Sequence, residues 1–92
     1  MRDFTEETAI IPEIVADVVL SELAPESSEE DRAWFREHVH SRTVHLYEVN
    51  TRWRKMMRAA NGRDELYIFV RHWLKAFLLD TQKYRERHPP IG

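Results

Sequence analysis

The sequence predicts an all-α domain: an antiparallel hairpin of two long helices, with a shorter N-terminal helix packed on one end. Three observations predict it. Glu, Arg, Leu and Ala are frequent, glycine occurs twice, and no run alternates apolar with polar as a strand would. Helix breakers fall at Pro12, Pro25, Asn61-Gly62 and Pro89-Pro90, which leaves three long segments between them. The second and third segments each carry apolar residues at alternating spacings of four and three, the pattern of helices packed along a seam. With 92 residues the chain makes one domain, 1–92, with residues 1–11 and 88–92 expected to be flexible ends.

The first segment, "PEIVADVVLSELA", has Pro12 suited to a first-turn position and Pro25 as its stop. Thr5 and Thr8 can cap an extra turn upstream. Glu13, Asp17 and Ser21 form a narrow polar stripe, so Ile11, Ile14, Val15, Val18, Val19 and Leu23 cover most of the remainder. A helix that is apolar over so wide an arc meets more than one neighbour.

The second segment follows "APESSEED". Ser27 or Ser28 caps it, Glu30 or Asp31 completes a capping box, and the acids sit at the positive end of the helix dipole. Nothing is expected to interrupt it before Asn61-Gly62, where Gly62 can adopt the left-handed conformation that ends helices. That gives about 32 helical residues, or roughly 48 Å. The third segment starts near Arg63 or Asp64 and runs to about Arg87, and the prolines of "HPPIG" end it.

The seam can be followed residue by residue. It runs through Phe35, Val39, Arg42, Leu46, Val49, Trp53, Met56 and Ala60 on the second segment, and through Leu66, Val70, Trp73, Phe77, Asp80 and Tyr84 on the third. In an antiparallel pair, Trp53 then faces Val70, Val49 faces Trp73, and Leu46 faces Phe77. The only polar member of each row, Arg42 and Asp80, also fall opposite one another. They are expected to form a partly buried structural ion pair that fixes the register.

Charge is unevenly placed. Residues 1–31 hold ten acids against Arg2 alone, a balance of −9, and residues 32–92 hold thirteen Lys or Arg against six acids, a balance of +7. The acidic third can neutralise the basic part within the fold or mark an interaction surface. The first helix is too short to cover the whole hairpin. Its far end near Asn61-Gly62 therefore leaves Met57, Ile68 and Phe69 as interface candidates, rimmed by a basic patch of Arg52, Arg54, Lys55, Arg58, Arg63 and Arg71.

Chemistry-bearing motifs are few. There is no glycine-rich phosphate loop, no nucleophile elbow and no cysteine. His38 and His45 share a helix face with Glu48, but His72 falls one to two turns from His45, so no third ligand completes a metal site. No metal and no cofactor are expected, and no catalysis. Trp34 and His38 are expected to pack against the first helix. No apolar run reaches the roughly 20 residues of a membrane helix, and the acidic start is no secretory signal, so a cytoplasmic protein is expected.

These readings converge on a small non-catalytic interaction or regulatory module. It would act through a helical-bundle protein interface, as a homodimer in which a second copy completes the bundle. The alternative is an accessory protein that binds nucleic acid through the basic hairpin tip. A His/Glu metal-binding bundle is the weaker third reading.

Overall fold

The structure, a computed structural model, describes residues 4–87, with the side chains of Thr5 and of residues 81–87 left aside. Every element among these residues is helical: α1 (Phe4–Thr8), α2 (Pro12–Leu23), α3 (Glu29–Val49), α4 (Thr51–Arg58) and α5 (Gly62–Arg87). The molecule measures 48 × 24 × 19 Å. No helix of the described residues is long and apolar enough to cross a membrane.

Residues 4–10 are tied together by local contacts. The Thr8 hydroxyl donates to the Phe4 carbonyl at 2.8 Å and accepts from the Ile10 amide at 3.2 Å, closing α1. Ala9 then takes a left-handed φ of 56°, which turns the chain and places both Phe4 and Ile10 in the core. Residues 4–11, part of the stretch expected to be flexible, contain this turn; residues 1–3 and 88–92 lie outside the described residues. α2 starts on Pro12 as the sequence indicates and buries Pro12, Val15, Ala16, Val19 and Leu20. It packs against both α3 and α5, as its wide apolar arc predicts.

Ser28 caps α3 by accepting the Asp31 amide at 3.1 Å. The helix does not continue to Asn61. Val49, Asn50 and Thr51 are three successive weak helix formers, and Asn50 is extended (φ −121°, ψ 111°). Its side chain accepts the Trp53 amide at 3.0 Å and so starts α4. Arg54 reaches back to the orphaned carbonyls of Tyr47 and Glu48, at 3.0 and 2.9 Å. The single long second helix is thus two helices hinged at one residue.

α4 and α5 form the tip. Gly62 is needed there for close approach rather than for a left-handed φ, since an added Cβ would lie 2.5 Å from the Met56 carbonyl oxygen and 2.8 Å from that of Met57. Trp53 sits between Phe69 and Trp73, with ring centroids 4.8 and 5.8 Å away, so the tip keeps the sequence register to about one residue.

Beyond Asn50 the register is lost. Phe77 stacks on Trp34 at 4.7 Å and meets Phe35 at 5.7 Å instead of facing Leu46, a slip of about three turns. The backbones of α3 and α5 come close at few points, and large aromatic side chains bridge them while α2 packs on both. The buried rows explain why. α3 buries Phe35, Val39, Thr43 and Tyr47, and α5 buries Leu66, Val70 and Leu74, all at strict spacings of four. Such ridges run obliquely around a helix and suit neighbours that cross at an angle. The four-three seam needs near-parallel partners, and here it becomes the edge of the core.

A candidate interaction groove

The displaced seam leaves a cavity of about 450 Å³ between α3, α4 and α5, lined by Arg42, Leu46, Asn50, Arg52, Trp53, Met56, Glu65, Phe69 and Trp73. Arg42, Leu46, Trp53, Met56 and Trp73 are the residues that the seam pattern places at its centre. Val49, from the same row, is 65% exposed. The hinge at Asn50 turns α4 so that Trp53 and Met57 are buried, and Met56, rather than closing the seam, stands half-open at the groove.

Three rings form one wall: Trp53 meets Phe69 edge-on, lies against Trp73 at 22°, and Phe69 and Trp73 are 6.4 Å apart. Among the described residues no ion pair joins Arg42 to Asp80. The Arg42 guanidinium lies over the Trp73 ring, 5.0 Å from its centroid, and Asp80 is exposed. The slipped register removes the opposition on which that pair depended. Trp53 also carries a buried indole N–H with no hydrogen-bond partner. The groove therefore has an aromatic wall, two arginines and one carboxylate, Glu65. It thus offers apolar ring faces with hydrogen-bond donors at the margin.

The other sequence candidates separate. Met57 is not surface but core, at 0% exposure, because the α4 helix starts afresh at Asn50 and rotates it inward. Phe69 remains half-open on the groove wall. Ile68, one residue earlier and so turned about 100° around the helix, is exposed away from it.

The basic residues do not make one face. Arg52 lines the groove. Arg54 is engaged with the end of α3 and lies over the Tyr47 ring at 5.6 Å. With Arg58 it lines a second cavity that also holds Glu7 and Glu48. Arg63 sits with Asp64 beside Val15 and Val18 of α2, Arg71 lies over the Tyr67 ring at 5.6 Å, and Lys55 is exposed.

Two tyrosines tie the N-terminal helices to the body. The Tyr47 hydroxyl donates to the Glu7 carboxylate, and that of Tyr67 to Glu22. Burial, then the Glu7 contact, raises the Tyr47 hydroxyl above its ordinary value; the Glu22 hydrogen bond leads in raising Tyr67. On α2, Asp17 pairs with Arg36 at 3.4 Å. Glu13 lies 2.5 Å from the buried His40 Nδ1. His38 stacks on Trp34 at 5.2 Å, and through Trp34 it joins α5 rather than the first helix. Burial and then the Arg42 charge lower the His38 pKa. Among the described residues no three His, Asp or Glu side chains are grouped to hold a metal ion; His45 and His72 are both exposed.

The chain matches no protein family, curated protein or solved structure. The groove rests on geometry alone. The seam pattern places Arg42, Leu46, Trp53, Met56 and Trp73 of its lining in a closed core and leaves Phe69 outside it as an expected interface residue. The signal it passed over was Val49-Asn50-Thr51, a cap sequence in mid-helix.

Proposed function

We propose that this protein is a non-catalytic interaction module that associates with a second copy of itself through the groove between α3, α4 and α5. One observation carries the reading: Trp53, Phe69, Trp73, Leu46 and Met56 share an open cavity of about 450 Å³ instead of a closed seam. Aromatic residues with arginine at the margin are the side chains that most often anchor protein interfaces. The scattering of Arg54, Arg58, Arg63 and Arg71 over separate cavities and ring contacts argues for protein over nucleic acid, because a phosphate backbone needs its cations along one face.

Sedimentation of the purified chain tests this. Association that strengthens with concentration is expected, and Phe69→Asp should abolish it while leaving helical content intact. A monomer at all concentrations that instead shifts DNA or RNA near physiological salt, with binding falling steeply as salt rises, would replace this reading with the nucleic-acid one.

A further inference from the structure

We propose that the groove of one copy is filled by α2 of another, through the exposed row Ile11, Ile14 and Val18. This rests on the reading that the groove is an interface, and it names what enters. The three side chains remain 48%, 46% and 40% exposed although α2 already packs on two helices by its other side. Spacings of three and four put them on one stripe, roughly 10 Å long, the form in which a helix enters an apolar groove. They are β-branched and rigid, so ordering them against rings costs little side-chain entropy.

Charge selects the same pairing. The stripe lies in the part of the chain whose balance is −9 (ten acids against Arg2), and the groove itself holds Arg42 and Arg52 against the single carboxylate of Glu65. Glu6 ahead of the stripe, and Glu26 and Glu30 after it, make no ion pair among the described residues. Arg42 and Arg52 at the groove likewise have no carboxylate within ion-pair distance among those residues. No α2 residue lines the groove, so a chain does not fill its own. The contact is between unlike surfaces, and it leaves a free stripe on one copy and a free groove on the other unless the assembly closes.

A mixing experiment decides it. Ile14→Asp removes the stripe and Phe69→Asp the groove, each checked by circular dichroism and thermal melting against the parent chain. Each variant alone should associate at least about tenfold more weakly than the parent, since a carboxylate is forced into an apolar contact. An equimolar mixture should recover a one-to-one pair, because one variant keeps an intact groove and the other an intact stripe. Should Ile14→Asp associate like the parent while Phe69→Asp does not, the groove is an interface but α2 is not its occupant. Should the parent be monomeric throughout, both readings fall. If Phe69→Asp melts early, Arg42→Glu with Arg52→Glu replaces it on the exposed margin. Failure of that folded variant to weaken association would overturn the charge argument and the proposal with it.

Discussion

At the tip, α4 and α5 run antiparallel with Trp53 between Phe69 and Trp73, close to the register that residue spacing dictates. At the opposite end, α3 and α5 meet three turns out of that register, through Trp34, Phe35 and Phe77, and α2 supplies much of the packing. The same two rows of residues thus keep their register in one half and lose it in the other. The difference lies in length. A turn of three residues, Ala59 to Asn61, forces α4 and α5 together, so local geometry sets their register. Past the Asn50 hinge no short link constrains α3, and the oblique ridges on α3 and α5 find α2 instead. Register that is not enforced by a tight turn is decided by whichever neighbour buries more apolar surface.

Substitutions can break this comparison or sharpen it. The largest effect is expected at Leu74, which is fully buried on the α5 ridge but absent from the seam. Leu74→Ala should cost roughly 2–5 kcal/mol in denaturant unfolding, whereas Val49→Ala, in the seam but exposed, should cost under about 0.5 kcal/mol. Equal costs at the two positions would restore the closed seam.

Gly62→Ala probes the turn that holds the tip. Its Cβ would press on two backbone carbonyls, so a loss of about 1–3 kcal/mol is expected, with the Trp53 fluorescence environment altered. A neutral result would mean that the turn does not enforce the tip register.

Thr43 lies at 0% exposure on the α3 ridge with its hydroxyl unpartnered. Replacing it with the near-isosteric valine removes a buried unpaired polar group, and Thr43→Val should raise stability by about 1 kcal/mol. The oblique ridge alone predicts this; the seam pattern leaves position 43 outside the core. A destabilised variant would point to a hydrogen bond that the hydroxyl makes.

The smallest effect is in pH. Burial beside Trp34 and the Arg42 charge hold the His38 pKa below its ordinary 6.5, so the unfolded chain takes up this proton more readily than the folded one. Its contribution to stability is present above pH 6.5 and declines as pH falls below that value. His38→Gln should flatten this part of the stability profile measured between pH 7 and 5. An unchanged profile would mean that His38 titrates alike in both states.

Much of the architecture was legible in residues read locally. The all-helical class, the start of α2 at Pro12, the Ser28 cap and the tight link near Asn61-Gly62 all rest on interactions within a few positions of one another. The candidate groove was legible only as a list of apolar residues. The seam pattern puts Trp53 and Trp73 in packed rows and Phe69 at an uncovered surface, whereas all three line one groove, and Met57, expected at that surface, is core. The Asn50 hinge accounts for much of that difference, because a cap restarts the helical phase and every face assigned beyond it rotates.

By itself the sequence determined the elements, their caps and the antiparallel tip, since propensity, capping and a short turn act over a few residues and need no partner. Which face each helix buries was decided by tertiary structure. The four-three row and the four-four ridge coexist on the same helices, and both are apolar enough to form a core. Only the placement of α2 against α3 and α5 selects the ridge, because burial rewards the whole contact surface rather than any single row. The residues left over from the unused row then line the groove.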